Sequence, residues 1–87
     1  MKLTYFMLRG CPYCRQADNW LRELREENPE FSAVEIEAVD EGRNRALAYS
    51  YDYYYVPAFF LGNRKLHEGT ATKAKLKTVL QSALNEK

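Results

Sequence analysis

An excess of charge of one sign is missing from this sequence, in which 13 basic residues face 12 acidic ones and leave a formal net charge of +1. Proteins that bind nucleic acid or anionic membranes electrostatically concentrate one sign of charge, so we expect neither kind of partner. Long hydrophobic runs are also missing, because no segment approaches the roughly 20 apolar residues of a membrane span. The apolar run at residues 3–8 leads directly into Arg9 and is too short for a secretory signal with its cleavage site. These absences predict a cytoplasmic protein.

Cysteine is scarce, and its scarcity excludes a disulfide-rich scaffold. The only two cysteines are Cys11 and Cys14, and in a reducing cytoplasm a disulfide between them would be transient and catalytic, not structural. A structural zinc ion takes four ligands, and this pair together with the lone His67 supplies three at most. Two chains could pool their cysteines, so a metal or iron–sulfur carrier stays open as an alternative.

The cysteine pair suits redox chemistry better than stabilisation. Residues three apart on a helix bring their Cβ atoms within about 5–6 Å, close to the separation that a disulfide requires. Closing so short a loop contributes only about 2 kcal/mol in the chain-entropy model, against about 3 kcal/mol for a loop of about 15 residues. A bond that forms easily and stabilises little is typical of a reversible, catalytic disulfide.

Strand and helix patterns alternate along the whole chain and predict a single domain over residues 1–87. Residues 3–8 and 55–61 are apolar on both faces, as in the central strands of a covered sheet, whereas residues 31–40 have one polar face, as at a sheet edge. The predicted elements are, in chain order, a strand at 3–8, a helix at 12–28, a strand at 31–40, a helix at 41–51, strands at 55–61 and 64–68, and a last helix capped by Thr70. This β-α-β-α-β-β-α order predicts an α/β domain, with a four-stranded mixed sheet and helices on both faces.

The cysteines lie where the first strand turns into the first helix. Open α/β sheets bind ligands at the carboxyl ends of their strands, and a CxxC motif beside a β-α-β pattern is typical of a thioredoxin-like redox site. Cys11 is expected at or just before the helix N-cap, with Pro12 at the first helical position. The N–H groups of Tyr13 and Cys14 and the helix dipole would then stabilise a thiolate at Cys11.

The two cysteines are expected to divide the chemistry between them. Arg9 and Arg15 would add positive potential around Cys11, whose thiolate is the attacking species. Cys14 lies one turn inside the helix, where its pKa is not lowered in the same way. We therefore expect Cys11 to attack a substrate disulfide and Cys14 to resolve the mixed disulfide.

A proline marks the second half of the predicted site. Pro57 stands at the start of a strand that otherwise reads as central, where a proline cannot donate to the sheet. A cis Val56–Pro57 peptide bond would resolve this conflict, since cis bonds in folded proteins are largely a proline feature.

The CPYC motif after the first strand, combined with the VPAFF segment before the hairpin, resembles the glutaredoxins, a branch of the thioredoxin superfamily. The resemblance covers nearly the whole chain and implies a thioredoxin-like fold. It implies that Cys11 is the nucleophile, that Cys14 resolves, and that Pro57 faces both cysteines. It further implies that the backbone of Val56 pairs with the cysteinyl part of glutathione, and that the Tyr13 ring flanks the groove.

Other positions both match the family and depart from it. The resemblance places Glu68-Gly69 in the turn that approaches the γ-glutamyl end of glutathione, where the family often has two glycines. Thr70 follows, in a stretch where threonines replace an acidic pair. Leu8 replaces a lysine that glutaredoxins typically carry before the motif, a role open to Arg9. Tyr55 stands where the residue before the Val-Pro pair is usually small or hydroxylated.

Five tyrosines crowd residues 49–55, immediately before the Val-Pro pair. They form either an aromatic rim that binds substrate or an amphipathic packing surface with hydroxyls in water. We expect packing for Tyr49 and Tyr51, and both interpretations stay open for Tyr53 and Tyr55.

These features predict a monomeric thiol–disulfide oxidoreductase with no tightly bound cofactor and with glutathione as co-substrate. Its expected partners are disulfide-containing proteins or small-molecule disulfides. The alternative within this class is a thioredoxin-like reductase that a flavin-dependent reductase of the thioredoxin-reductase type recycles in place of glutathione. The alternatives of other classes are an iron–sulfur or metal carrier that shares CxxC between two chains, and a redox-silent binding module, which would require an unperturbed pKa at Cys11.

Overall fold

Strands and helices alternate in the order that the sequence predicts. The structure, a computed structural model, describes residues 2–85. The elements are β1 (Lys2–Met7), α1 (Pro12–Glu27), a 3₁₀ helix (Pro29–Ala33), β2 (Glu35–Asp40), α2 (Arg45–Tyr49), β3 (Ala58–Leu61), β4 (Arg64–Glu68) and α3 (Lys73–Asn85). None of the helices in this described range is long and apolar enough to cross a membrane.

The four strands form one mixed sheet in the order β2-β1-β3-β4. Strand β1 runs parallel to β2 and antiparallel to β3, and β3 pairs with β4 in an antiparallel hairpin. Strands β1 and β3 are therefore central, which explains why both are apolar on their two faces, and β2 and β4 form the edges. This arrangement confirms the predicted α/β class and the predicted four-stranded mixed sheet.

Side chains of the sheet alternate between two hydrophobic clusters on opposite faces. On one face the rings of Tyr5 and Phe59 stack with their centroids 4.6 Å apart, and α1 and α3 contribute Leu24 and Leu80 to the same cluster. The cluster on the other face consists of Phe6, Val39, Ala48, Ala58 and Phe60. Because Ala48 belongs to α2, helices cover both faces of the sheet, as predicted.

The predicted strand at residues 31–40 is wrong in its first part. Residues Pro29–Ala33 form a 3₁₀ helix whose first position is the proline, a place where the missing N–H is no loss. The N–H of Phe31 donates to the carbonyl of Asn28 at 2.9 Å, and the Phe31 side chain is buried. The strand begins only at Glu35, and it is the edge strand that its polar face predicts.

The second helix is shorter than the predicted range of 41–51. The Asp40 side chain accepts the N–H of Gly42 at 2.9 Å, and the Asp40 carbonyl accepts the N–H of Asn44 at 3.0 Å. Short polar side chains compete in this way with helical backbone bonds, so residues 41–44 form a turn and the helix follows it.

The third strand also begins later than predicted, at Ala58 instead of residue 55. The backbone N–H groups of Tyr54 and Tyr55 donate to the carboxylate of Glu68, not to a neighbouring strand. The Glu68 side chain, at the end of β4, therefore accepts the hydrogen bonds that a neighbouring strand would otherwise accept.

The predicted N-cap of the last helix is wrong by two residues. The hydroxyl of Thr72 accepts the N–H of Lys75 at 3.1 Å, and the Thr72 carbonyl accepts the N–H of Leu76 at 3.0 Å. Thr72 is therefore the N-cap of α3, and Thr70 lies exposed in the preceding turn.

Candidate active site

The two cysteines lie at the amino-terminal end of α1, just after the carboxyl end of β1. Cys11 is the N-cap residue with extended backbone angles, and Pro12 opens the first helical turn. Gly10 has a φ of 84°, which glycine adopts without a steric penalty, and the N–H of Cys11 donates to the Leu8 carbonyl at 3.2 Å. This turn leaves Cys11 partly exposed at the entrance to the helix, while Cys14 is buried one turn further on.

The pKa of Cys11 lies below that of an ordinary cysteine. The largest cause is a hydrogen bond from the backbone N–H of Cys14, and the Cys14 side chain, the N–H of Tyr13 and the charge of Arg15 act in the same direction. Partial burial opposes these effects without overcoming them. The other predicted cation, Arg9, is exposed and makes no hydrogen bond or ion pair within residues 2–85. The helix N-terminus therefore makes the thiolate of Cys11 easier to form than that of an ordinary cysteine.

The pKa of Cys14 is shifted in the opposite direction, upwards. Burial raises the pKa of the Cys14 thiol to about 11, and the neighbouring Cys11 and the Asp18 carboxylate raise it further, against a backbone hydrogen bond from Leu8. The buried thiol keeps its proton and hydrogen-bonds to the Cys11 sulfur. The pKa values of the two cysteines are therefore shifted in opposite directions, down at Cys11 and up at Cys14.

The Val-Pro pair lies at the same end of the sheet. The Val56–Pro57 peptide bond is cis, and the next residue, Ala58, pairs with Phe6 in the antiparallel β1–β3 ladder. Strand β3 therefore begins beside the carboxyl end of β1, from which the chain turns towards Cys11. The topology brings together the two predicted halves of the site.

Backbone groups beside Pro57 are left available. The Pro57 carbonyl accepts the N–H of Gly69 at 2.9 Å, whereas neither the N–H nor the carbonyl of Val56 has a hydrogen-bond partner among residues 2–85. Gly69 has a φ of 88°, and a Cβ there would lie 3.8 Å from the Cβ of Tyr55. Unpaired backbone groups at the surface are able to pair with the backbone of a bound peptide.

The remaining predicted binding residues surround this backbone. The Tyr13 side chain is 54% exposed on the first turn of α1, and the Tyr55 side chain is 69% exposed beside Gly69. Thr70 is exposed in the turn before α3. These side chains are accessible to a ligand.

The tyrosines of residues 49–55 divide into a packed group and an exposed group. Tyr51 and Tyr53 are packed, and the others are exposed. The rings of Tyr51 and Tyr53 both pack against Phe6 with centroids 4.8 Å apart, and the Tyr53 hydroxyl donates to Glu41 at 2.6 Å. The packing predicted for Tyr51 is confirmed, and the packing predicted for Tyr49 is wrong because its side chain is 83% exposed. Tyr53 thus belongs to the packing surface.

A groove of about 640 Å³ lies beside the active-site turn, between that turn and α2. Its walls include Leu8 before the CPYC motif, Arg45 at the start of α2, and Tyr54. None of the predicted glutathione-binding residues lines this groove. Neither cysteine lines it, and Leu8 is the wall residue that adjoins the CPYC turn.

Two polar contacts of the site are not foreseen from the sequence. The Tyr5 hydroxyl lies 3.1 Å from the Cys14 carbonyl and 2.9 Å from the Asp18 carboxylate, although Tyr5 reads as an ordinary residue of an apolar strand. Glu68 binds two backbone N–H groups of the loop before Pro57. The only advance signal for Glu68 is that it stands where the family often has a glycine.

The site offers few metal donors. Within residues 2–85 no three or more His, Cys, Asp or Glu side chains are grouped to hold a metal ion. His67 lies on the β4 edge strand with its Nε2 3.0 Å from the Gly69 carbonyl. The donors at the site itself are the sulfur atoms of Cys11 and Cys14.

Comparison with solved structures defines the class of protein. An uncharacterized thioredoxin-like protein from Clostridium perfringens matches with a TM-score of 0.70 at 28% identity, covering 98% of this chain and 72% of that one. A mutant thioredoxin from Halobacterium salinarum NRC-1 matches at 0.71 and 22% identity, with coverages of 99% and 76%. A malarial protein matches at 0.70 and 16% identity, with coverages of 95% and 96%. The fold is therefore thioredoxin-like.

The sequence defines the family within this class. The glutaredoxin family model matches residues 3–66, which is more than half of the chain and includes the CPYC motif and the Val-Pro pair. The chain belongs to the glutaredoxin family. The comparison with curated proteins gives no significant match. Membership of this family is consistent with thiol–disulfide oxidoreductase chemistry.

Proposed function

We propose that this protein is a dithiol oxidoreductase that reduces disulfides through Cys11 and Cys14. The Cys11 thiolate attacks one sulfur of the substrate disulfide, and the other substrate sulfur leaves as a thiolate, which takes up a proton. Cys14 then gives up its proton to solvent and attacks the Cys11 sulfur, which releases the second substrate thiolate. The substrate gains two electrons and the cysteine pair becomes a disulfide, which an external thiol donor reduces in the next cycle.

The observation that supports this proposal is the opposite shift of the two cysteine pKa values. A lowered pKa at Cys11 supplies the nucleophile, and a buried, protonated Cys14 avoids competing for the substrate until the mixed disulfide has formed. Once Cys11 is part of that mixed disulfide its negative charge is gone, so one cause of the raised pKa of Cys14 disappears. Cys14 then ionises more readily at the step that requires it.

Substrate binding is proposed along the backbone of Val56. The N–H and carbonyl of Val56, which have no partner among residues 2–85, suit antiparallel pairing with the residue that carries the substrate sulfur. This holds for protein disulfides and small-molecule disulfides alike. We place the protein in the cytoplasm as a monomer without a tightly bound cofactor. The proposed binding residues are Arg9, Tyr13, Tyr55, Val56, Pro57, Gly69 and Thr70.

The electron donor is proposed to be glutathione or a flavin-dependent reductase, and one observation favours the reductase. The first turn of α3 carries no acidic residue, the Thr72 hydroxyl is used to cap the helix, and Lys73 pairs with Glu23 and Glu27 of α1. The ammonium of a γ-glutamyl group would therefore find no carboxylate on this helix turn.

A comparison of two reducing systems tests the proposal. Wild type, Cys11→Ser and Cys14→Ser are assayed for reduction of a mixed disulfide of glutathione with glutathione and its reductase, and for reduction of insulin with NADPH and thioredoxin reductase. We expect Cys11→Ser to be inactive in both systems. Cys14→Ser should lose insulin reduction, because nothing then resolves the mixed disulfide.

The outcomes separate the alternatives. Glutathione-dependent turnover that survives in Cys14→Ser identifies glutathione as the donor, and turnover restricted to thioredoxin reductase identifies the flavin enzyme. A wild type inactive in both systems contradicts the proposed function. An anaerobic preparation that is coloured and contains iron would instead support the carrier alternative.

A further inference from the structure

Glu68, the last residue of β4, binds the loop that leads to the Val-Pro pair. Its Oε2 accepts the backbone N–H groups of both Tyr54 and Tyr55, the latter at 3.0 Å. Its Oε1 accepts the Lys65 ammonium at 2.7 Å. One carboxylate therefore holds two consecutive peptide groups, and a lysine of the same strand fixes its orientation.

A second contact holds the same loop on its other side. The N–H of Gly69 donates to the Pro57 carbonyl at 2.9 Å, so the last residue of β4 and the residue after it hold the chain on both sides of Val56. Between these two attachments, the peptide groups of Val56 have no partner among the described residues. Residues 54–57 belong to no strand, so these contacts fix the direction in which Val56 presents its N–H and carbonyl.

We propose that Glu68 is a positioning residue for the disulfide substrate, which acts by holding the Val56 backbone in the orientation that pairs with the substrate chain. This inference rests on the proposed function, since it assigns Glu68 a role in substrate binding at that site. A preorganised loop binds without the entropy cost of ordering it at each encounter. Glu68 therefore contributes to the affinity for substrate, not to the reactivity of the nucleophile.

The structure separates these two properties. The groups that lower the pKa of Cys11 belong to Tyr13, Cys14 and Arg15, all in the first turn of α1. Glu68 is not among them, so the loss of its carboxylate should leave the thiolate unchanged. A variant at this position therefore distinguishes substrate positioning from damage to the cysteine site.

The kinetic test compares Glu68→Ala and Glu68→Gln with wild type, using insulin as the disulfide substrate and dithiothreitol as the reductant. We expect KM for insulin to rise about five-fold in Glu68→Ala and less in Glu68→Gln, whose amide oxygen still accepts one N–H, with kcat little changed. The rate of Cys11 alkylation by iodoacetamide across the pH range should stay that of wild type, because this small reagent does not use the loop. Glu35→Gln, on the opposite edge strand β2, is the matched control and should behave as wild type.

Amide exchange provides a readout that does not depend on activity. The Tyr54 and Tyr55 amide protons should exchange faster in Glu68→Ala than in wild type, while amides of the central strand β1 keep their protection. In wild type the shifts of both amides should follow a carboxyl titration near a pKa of about 2, because the Lys65 ammonium and these N–H groups hold the pKa of Glu68 low.

The results separate failure of this inference from failure of the proposed function. An active wild type whose KM is unchanged in Glu68→Ala overturns the positioning role alone, as does unchanged exchange at both tyrosine amides. A parallel loss of Cys11 alkylation in Glu68→Ala also overturns it, since the defect then lies in the nucleophile. A wild type that does not reduce insulin overturns the proposed function together with the role assigned to Glu68.

Discussion

Cys11 and Cys14 lie one helical turn apart, and their pKa values are shifted in opposite directions. Backbone N–H groups at the start of α1 point at the sulfur of Cys11, whereas burial dominates at Cys14. The same helix therefore stabilises a thiolate at its cap and a thiol inside its first turn. The sequence predicts this division correctly because it depends only on the position of each cysteine relative to the helix start.

Alkylation at varied pH measures this difference directly. In Cys14→Ser, we expect the rate of Cys11 modification by iodoacetamide to reach half its maximum at a pH below the ordinary cysteine value of about 8.5, since the rate follows the thiolate fraction. In Cys11→Ser, burial should keep the midpoint for Cys14 above that value. Equal midpoints in the two variants would contradict the assignment of nucleophile and resolving thiol.

The Tyr5 hydroxyl links β1 to the first two turns of α1 through the Cys14 carbonyl and the Asp18 carboxylate. We expect Tyr5→Phe to lower the free energy of unfolding by about 1 kcal/mol, the typical contribution of a buried hydrogen bond. Tyr54→Phe is the control, because the Tyr54 side chain is 84% exposed, and its effect should stay within about 0.5 kcal/mol. Urea denaturation of both variants measures these values, and equal stabilities would show that the buried hydroxyl contributes nothing.

At the level of elements, the sequence predicts which strands and helices exist better than where they begin. Apolar residues on both faces correctly mark β1 and β3 as central, and the polar face of β2 correctly marks it as an edge. The predicted boundaries of α2 and β3 are wrong where a side-chain carboxylate accepts backbone N–H groups that a helix or a sheet would otherwise bind. Asp40 does so locally in the turn before α2, and Glu68 does so from a distant strand, which no local pattern shows.

The start of α3 offers a test of one such boundary. Thr72→Ala removes the hydroxyl that accepts the Lys75 N–H and should lower the free energy of unfolding by about 1 kcal/mol, as N-cap substitutions do. Thr70→Ala changes an exposed threonine just outside the helix and should shift stability by less than about 0.5 kcal/mol. Thermal denaturation of the two variants in parallel shows which threonine caps α3. A larger loss of stability in Thr70→Ala would support Thr70 as the N-cap, as predicted from the sequence.

For the molecule as a whole, the topology assembles the site from distant segments. The antiparallel pairing of β1 with β3 places the start of β3 beside the end of β1, so the CPYC turn and the Val-Pro pair meet at one end of the sheet. The sequence predicts these two parts because each carries a rare residue type in a recognisable setting. It does not reveal the contacts of Tyr5 and Glu68, because both residues fit their strands without any visible irregularity.

The reduced protein should lose stability at alkaline pH. Burial raises the pKa of Cys14 to about 11 and also raises those of Tyr5 and Tyr53, with hydrogen bonds to Asp18 and Glu41 adding to the effect at the two tyrosines. A group whose pKa is higher in the folded state stabilises the fold below its unfolded pKa, and this stabilisation is lost as the pH rises through the folded value.

Urea denaturation between about pH 8 and about pH 10.5 checks this expectation. The free energy of unfolding of the reduced wild type should fall over this range. The oxidised protein, which has no thiol to ionise, should lose less, because only its tyrosines contribute. An equal or larger loss in the oxidised protein would mean that burial of Cys14 does not raise its pKa.

In the proposed reaction Cys11 alone forms the bond to substrate, and Cys14 releases it. The most direct measurement is mass spectrometry of Cys14→Ser after its reduced form is mixed with insulin, followed by acid quenching and peptide mapping. We expect a stable mixed disulfide attached at Cys11 of this variant, no adduct in Cys11→Ser, and only a transient adduct in wild type. Adduct formation at Cys14 in Cys11→Ser to the same extent, or no adduct in any variant, would contradict it.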